Sequence, residues 1–215
     1  MQTEYYIEIR PGKELEQKIQ MTKDALIARL GPAVDDPTQT MFLRDAPHFT
    51  MQVARATDFV GVLDAYRKVA AKFSGFEYTI DNVGRAIKGG LTEVHVIPDS
   101  PSQRRFLAVH EALLDASIPF LAAELPAMYR GAAMDGLAAE NLRKYHFPFA
   151  KALYKAHASV GRFNDGVLTR VDNILAGFDP CGTYRTGQMC IWKYVPGDVR
   201  YSIYDPILIE WGGEK

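Results

Sequence analysis

A chain of 215 residues is long enough for one domain or for two closely packed lobes, and its 47% hydrophobic and 24% charged residues are typical of a globular protein. The net charge of −1 excludes a global positive field, so a nucleic-acid substrate would be short or held by a local basic patch. No apolar run approaches the ~20 residues that cross a bilayer, and the N-terminus lacks the pattern of a signal peptide. We therefore expect a cytoplasmic protein without a membrane anchor, in which Cys181 and Cys190 are reduced.

The first part of the chain shows five elements in its apolar pattern. They are a strand over Glu4 to Arg10, a helix with its apolar face at Leu15, Ile19, Leu26 and Leu30, a strand from His48 to Ala54, a helix with an apolar face from Phe59 to Phe73, and a strand from about Phe76 to Ile87.

The second part repeats this order. It reads as a strand over Leu91 to Pro98, a helix capped by Ser100, an Ala-rich and partly helical insert from Pro119 to Lys151, a strand from Ala152 to Phe163, a helix capped near Asn164, and strands near Met189 to Val195 and from Arg200 to Glu210. Each half therefore contains strand, helix, histidine-bearing strand, helix and strand. Two such units packed face to face would bring the histidine strands together around a pseudo-twofold axis.

The two histidine strands carry the same short motif, His48-Phe49-Thr50-Met51 and His157-Ala158-Ser159-Val160. Side chains alternate faces along a strand, so each motif offers an imidazole and a hydroxyl to one surface and an apolar residue to the core. Five histidines and 17 Ser and Thr residues would give about 0.4 such pairs by chance, and both pairs fall at corresponding positions of the repeat. The other three histidines, His95, His110 and His146, lie outside this pattern, and we expect them to be structural or exposed.

These motifs resemble those of the two-histidine phosphoesterase superfamily, which includes the LigT-type RNA 2′,3′-cyclic phosphodiesterases, long called 2′-5′ RNA ligases. The resemblance implies an α+β fold of two similar lobes, about residues 1–88 and 89–215, in which antiparallel sheets line a central cleft. His48 and His157 would face each other across that cleft. The motifs are 109 residues apart, and the insert at 119–151 accounts for this long separation.

The chemistry implied by the resemblance is the opening of a 2′,3′-cyclic phosphate, on an RNA end or a small nucleotide, to a 2′-phosphate. A histidine pKa near ~6.5 lets one imidazole act as general base while the other acts as general acid. Thr50 and Ser159 would donate hydrogen bonds to the phosphate oxygens as negative charge develops. Neither a metal nor another cofactor is expected, and the sequence leaves open which histidine is the base.

Three further side chains are candidates for substrate binding. Arg44 shares the parity of His48, and Arg162 would reach the face of His157 if Gly161 bulged the strand. Tyr6 lies on the first strand, which borders the cleft in this family, and one of the two tyrosines there could stack on a base. A solvated or packed side chain is the alternative for each of them.

Other functions remain open at this point. The same site would suit a 3′-5′ RNA exonuclease or a 2′-5′ RNA ligase, and a non-catalytic nucleotide- or RNA-binding module could retain the cleft. We expect a monomer whose partner is a cyclic nucleotide or RNA end as substrate, with no stable protein partner.

Overall fold

The computed structural model describes residues 2–194 and 207–212. Its strands are β1 (Thr3–Ile9), β2 (Thr40–Met41), β3 (Phe49–Ala56), β4 (Glu77–Lys88), β5 (Leu91–Pro98), β6 (Ala158–Phe163), β7 (Gly182–Arg185), β8 (Met189–Tyr194) and β9 (Ile207–Ile209). Its α-helices are α1 (Lys13–Leu30), α2 (Phe59–Ala70), α3 (Ser100–Ser117), α4 (Gly136–Tyr145) and α5 (Asp165–Ala176). None of these helices is long and apolar enough to cross a membrane.

Three helices begin at polar capping residues. The carboxylate of Asp58 accepts a hydrogen bond from the backbone of Gly61 at 2.9 Å, and the side chain of Asn164 caps α5 in the same way. The cap of α3 is Asp99, which accepts from the Ser102 backbone at 2.8 Å, so the prediction of Ser100 as the cap was wrong by one residue.

The strands form one antiparallel sheet that runs through the molecule in the order β7-β4-β5-β6-β3-β1-β8-β9, while β2 pairs with β6. This order is symmetric about the central pair β6 and β3, which are the two motif strands. The sheet does not close on itself. The predicted α+β class and the central position of the histidine strands are both present in this architecture.

The lobes of the sheet do not follow the two halves of the sequence. Strand β4 pairs with β5 and β7, which come after residue 88, and β8 pairs with β1. The helices are exchanged as well, because α1 packs on α5 and β6 while α3 packs on α2 and β3. Each lobe therefore combines strands and helices from both sides of residues 88–89.

Both motif histidines lie just before their strands. We predicted a strand from Ala152 to Phe163, but β6 begins at Ala158. The reason is that the side-chain amide of Gln103 occupies the backbone of Ala156, donating to its carbonyl and accepting from its N–H, both at 2.8 Å. The 3₁₀ turn over Lys151–Leu153 also occupies the first residues of the predicted strand. Similarly, β3 begins at Phe49 rather than at His48.

The structure also locates the insert and the last strand. The insert contains α4 and short 3₁₀ turns, and near Ala127 and Arg130 it contacts the buried carboxylate of Glu4 on β1. For the last strand we predicted Arg200 to Glu210, and the structure places β9 at Ile207–Ile209. Residues 195–206, which include the first part of that prediction, lie outside the described residues.

Candidate active site

The two motifs meet at a single pair of residues in the centre of the sheet. Phe49 of β3 pairs with Ala158 of β6 in antiparallel register, and both side chains are buried. Extending this register by one residue sets His48 opposite Ser159. Diagonal neighbours in such a pair stand roughly 7–8 Å apart. His48 and His157 are related in this way, and that spacing leaves room for one phosphate group between their rings.

A β-bulge follows each histidine at the fourth motif residue. In the pairing of β1 with β3, Glu8 opposes Thr50 and the next pair skips Met51. In the pairing of β5 with β6, His95 opposes Ser159 and the next pair skips Val160. A bulge increases the local twist and redirects the side chains that follow it. The same device therefore shapes both halves of the candidate site.

The two imidazoles are oriented by matching hydrogen bonds. Nδ1 of His48 lies 2.8 Å from the carbonyl oxygen of Ala46, and Nδ1 of His157 lies 2.8 Å from the carbonyl oxygen of Lys155. A carbonyl can only accept, so each Nδ1 carries a proton and each Nε2 faces away from the backbone. In both motifs the acceptor is the residue two positions before the histidine.

Among solved structures, the chain is similar to E. coli LigT complexed with 3′-AMP, with 12% sequence identity, a TM-score of 0.50, and 97% of this chain and 99% of that chain covered. E. coli LigT complexed with phosphate gives 12% identity and a TM-score of 0.48 over 97% of this chain and 98% of that chain. Usb1 of Kluyveromyces marxianus gives 11% identity and a TM-score of 0.45, with 97% of each chain covered.

The chain has the fold of the two-histidine phosphoesterases. The fold predicted from the two motifs is therefore confirmed. No family model and no curated protein matches the sequence. At 12% identity the likeness to LigT establishes the fold alone, and the chemistry has to be argued from the side chains.

The His48 half of this two-histidine site opens into a pocket of about 260 Å³. The pocket is lined by Tyr6, Glu8, Arg10, Arg44, Asp45, Ala46, His48 and Trp192. Tyr6 and Trp192 are cross-strand partners on β1 and β8, and the Tyr6 ring meets the His48 ring edge-on with centroids 5.3 Å apart. The pocket thus combines aromatic surface with two arginines beside a candidate catalytic histidine.

The environment of His48 favours its neutral form. Burial lowers the pKa of His48, although Glu8 opposes this shift with a carboxylate oxygen 3.6 Å from Nδ1. Glu8 is also paired with Arg10, whose Nη1 lies 3.2 Å from it, so its charge is shared. Within the described residues, His48 Nε2 and the Thr50 hydroxyl have no hydrogen-bond partner, which leaves both available to a ligand.

The loop before His48 is fixed by a buried lysine. Nζ of Lys23, on α1, donates to the carbonyl oxygens of Phe42 at 2.8 Å and Asp45 at 2.7 Å. Burial lowers the pKa of Lys23 to about 8, while the nearby Asp45 charge counteracts this shift. Lys23 therefore positions the segment whose Ala46 carbonyl orients His48.

The His157 half has a different centre, the carboxylate of Glu93 on β5. Oε1 of Glu93 accepts from the Ser159 hydroxyl at 2.6 Å and lies 3.4 Å from His157 Nε2. Oε2 accepts from Arg162 Nε at 3.1 Å and lies 2.8 Å from Lys88 Nζ. Burial alone would raise the pKa of Glu93, but contacts with His157, Lys88 and Ser159 outweigh it and hold the pKa well below its usual range. The carboxylate is therefore ionised, and the Ser159 proton is directed to it.

A third histidine lies beside His157, although we expected it to be structural or exposed. The rings of His95 and His157 are 5.2 Å apart, and burial together with the His157 charge lowers the pKa of His95 to about 4. His95 has room because Gly84 faces it on β4. Glu93 and His95 share one face of a strand that otherwise reads apolar, and this alternation was the signal in the sequence for a polar, cleft-lining face.

The three predicted binding residues have distinct positions. Tyr6 and Arg44 line the pocket beside His48, where Arg44 also pairs with Asp35 through Nε at 2.9 Å. Arg162 lies on the face of Ser159, but the bulge that brings it there is at Val160 instead of Gly161. Its guanidinium stacks 4.6 Å above the Phe42 ring.

No group of three or more His, Cys, Asp or Glu side chains within residues 2–194 and 207–212 is arranged to hold a metal ion.

Proposed function

We propose that the protein is a phosphodiesterase that opens a 2′,3′-cyclic phosphate, on an RNA end or a small nucleotide, to a 2′-phosphate. The observation that carries this proposal is the pairing of Phe49 with Ala158, which brings the two histidine motifs together with both Nδ1 atoms bound to backbone carbonyls. Both Nε2 atoms are thereby directed away from the backbone, and the register places both histidines on one face of the sheet. General acid–base cleavage of a phosphodiester needs one group that takes up a proton and one that delivers a proton, and two neighbouring imidazoles can supply both.

The reaction needs one proton taken up and one delivered. One imidazole accepts a proton from water as the water oxygen attacks phosphorus, and the other protonates O3′ as the P–O3′ bond breaks. Thr50 donates to a phosphate oxygen as negative charge develops. Ser159 can make the same contact only by leaving Glu93, which it binds at 2.6 Å. Arg162 has donors beyond the Nε that binds Glu93, and a guanidinium can use them to bind a phosphate oxygen.

The pocket beside His48 supports a nucleoside as the rest of the substrate. Tyr6 and Trp192 offer aromatic surface for a base, and Arg44 adds positive charge at the rim. The E. coli LigT structure with 3′-AMP is a complex of a protein with this fold and a nucleotide. A mononucleotide or an RNA end also agrees with a net charge of −1, which gives no extended basic surface for a long duplex.

The test is turnover of 2′,3′-cyclic nucleotides in the presence of EDTA by wild type, His48→Asn and His157→Asn. We expect a 2′-phosphate product and a loss of ~10²-fold or more in each variant. The matched control is His146→Asn, because His146 has a positive φ of 58° at the end of α4, a position where asparagine is well tolerated. It should keep wild-type turnover.

The alternatives predict different outcomes of the same assay. Shortening of RNA from its 3′ end without cyclic-phosphate opening would identify an exonuclease, and formation of 2′-5′ linkages would identify a ligase. Binding of a 2′-phosphonucleotide with no turnover across a broad pH range would replace the catalytic proposal with a nucleotide- or RNA-binding module. Full activity in either histidine variant would place the chemistry elsewhere.

A further inference from the structure

The two halves of the site are related by strand pairing but carry different side chains at two corresponding positions. The partner of Thr50 is Glu8, whereas the partner of Ser159 is His95. In β1, Tyr6 lies two residues before the partner of Thr50. In β5, Glu93 occupies the same place relative to the partner of Ser159. An aromatic ring in one half is therefore matched by a buried carboxylate in the other. Both halves hold a buried carboxylate, Glu8 at 2% and Glu93 at 1% exposure, but Glu8 lies beside Nδ1 of His48 and Glu93 lies beside Nε2 of His157, which makes the halves chemically unequal.

Two oxygen acceptors lie beside the ring nitrogens of His157. Nδ1 lies 2.8 Å from the Lys155 carbonyl oxygen, and Nε2 lies 3.4 Å from the ionised carboxylate of Glu93. Neither group can donate a proton, so these contacts favour a ring in which both nitrogens carry protons. The 3.4 Å separation exceeds the ~2.7–2.9 Å of a charge-assisted hydrogen bond, so the Nε2 proton remains available to a substrate oxygen.

His48 has the opposite arrangement. Both oxygen acceptors near it, the Ala46 carbonyl and the Glu8 carboxylate, face Nδ1. Nε2 has no acceptor among the described residues, so a neutral ring with its lone pair on Nε2 satisfies every contact. A neutral imidazole with an open Nε2 is a proton acceptor.

We propose that Glu93 is a positioning residue that keeps His157 positively charged, so that His157 delivers the proton in the reaction and His48 receives one. This inference rests on the phosphodiesterase function proposed above. His48 Nε2 takes a proton from water as the new P–O bond forms. His157 Nε2 gives its proton to O3′ as the P–O3′ bond breaks, and exchange with solvent restores both rings.

The other charged groups around the two histidine rings either favour the same protonation states or are paired with a group of opposite charge. His157 is faced by Glu93 and the neutral His95 from β5, while Lys88 of β4 and Arg162 of β6 are both paired with Glu93. The positive charges of the latter two are thus partly neutralised by the carboxylate that holds His157.

The charged groups facing His48 have a smaller net effect on its pKa. They are Glu8 of β1, which is paired with Arg10, and the more distant Lys23 and Asp45, whose effects on the His48 pKa are opposite in sign. No described carboxylate lies within ion-pair distance of His48 Nε2.

The first experiment is a pH titration of the wild-type protein labelled with ¹⁵N at histidine, since ring nitrogen shifts report protonation at each atom. The signals are assigned by their loss in His48→Asn and His157→Asn. We expect His157 to remain doubly protonated to higher pH than His48, and His48 to be neutral with its proton on Nδ1. A neutral His157 at a pH where His48 is charged would overturn the inference.

The second experiment compares Glu93→Gln with Glu4→Gln. Glu4 is the matched control because it is also a buried carboxylate, 5% exposed and held by Arg55 and Arg130, but it lies four residues along β1 from Glu8, the partner of Thr50. In the pH profile of kcat/KM, Glu93→Gln should move the alkaline limb to lower pH by about one unit and leave the acidic limb in place. Glu4→Gln should move neither limb. Glu93→Asp keeps a carboxylate, so its alkaline limb should stay close to the wild-type position.

The outcomes separate this inference from the proposed function. If cyclic nucleotides are not turned over but the titration shows His157 charged and Glu93→Gln removes that charge, the proposed reaction fails while the role of Glu93 stands. If turnover depends on both histidines but Glu93→Gln leaves the alkaline limb and the His157 signals unchanged, the reaction stands and the role of Glu93 is refuted. The wild-type titration remains decisive even if Glu93→Gln fails to fold.

Discussion

At the scale of single residues, a buried neutral histidine supports the motif strand β3. His110 on α3 has Nδ1 2.6 Å from the Met51 carbonyl oxygen and Nε2 3.2 Å from the Lys151 backbone N–H, and its ring stacks on Tyr154 at 3.9 Å. One nitrogen must donate and the other must accept, so only the neutral ring fits. Burial lowers the pKa of His110 to about 4. Met51 is the bulge residue of the first motif, so this histidine holds the backbone of the site.

We expect the protein to lose stability as the pH falls from about 6.5 toward 4. The folded-state pKa of His110 is below the unfolded value, so its contribution is fully present above pH ~6.5 and is lost as the pH falls through about 4. His110→Gln keeps one donor and one acceptor but cannot titrate. Between pH 7.5 and 5 the free energy of unfolding of wild type should fall by about 2 kcal/mol more than that of the variant, as measured by urea denaturation. Equal losses in both proteins would show that His110 is not held neutral.

The sequence was sufficient to name candidate catalytic residues where the pattern is local. His48, Thr50, His157 and Ser159 were identified because each pair lies within one motif. Glu93 was not identified, because its importance depends on β5 pairing with β6, which no local pattern specifies. His95 was assigned to a structural or exposed role for the same reason.

At the scale of elements, close approach between β4 and β5 sets the position of His95. A Cβ at Gly84 would lie 2.7 Å from His95 Nε2 and 2.5 Å from Ile97 Cδ1, distances at which the neighbours have to move. The end of Ile97 can rotate, but the His95 ring is packed against His157. Glycine at residue 84 therefore gives the third histidine its space beside the candidate catalytic one.

Gly84→Ala should reduce turnover of the cyclic nucleotide by about tenfold or more, because the displaced His95 ring moves His157. The cost in folding free energy should be only about 1–3 kcal/mol, as for other overpacked sites. The control is Gly166→Ala, where the nearest atom to an added Cβ is 3.6 Å away in the first turn of α5. Steady-state kinetics and thermal unfolding measure the two effects. Unchanged kcat in Gly84→Ala would mean that His95 does not support His157.

Element boundaries were predictable where sequence pattern and tertiary partners agree. The strand Leu91–Pro98 has the bounds that its apolar alternation indicated. The start of β6 was not predictable, because the residues before it are bound by the side chain of Gln103, which is more than 50 residues away in the sequence. The bulge at Val160 likewise depends on pairing with β5, and it decides which face Arg162 occupies.

At the scale of the whole molecule, the two repeats of the sequence do not coincide with the two lobes of the sheet, because strands and helices are exchanged between the lobes. Strand β4 has both of its partners, β5 and β7, in the second half of the chain, and helix α1 covers β6. A separated first half would leave β4 without a partner and the apolar face of α1 exposed. A sheet strand and an amphipathic helix gain most of their stability from such packing. The two halves should therefore fold only together.

Cutting the chain in the exposed turn at Gly89-Gly90 tests this dependence. Both glycines have positive φ, 60° and 77°, in the tight connection between β4 and β5, so a protease site inserted between them disturbs only the turn. The uncut insertion protein is the control and should unfold cooperatively like wild type. After cleavage, fragments 1–89 and 90–215 should remain associated in native buffer, be unfolded when separated in urea and isolated, and regain the circular dichroism spectrum and turnover when mixed. Cooperative unfolding of isolated fragment 1–89 would contradict the exchange of strands and helices, because that fragment lacks every strand that pairs with β4.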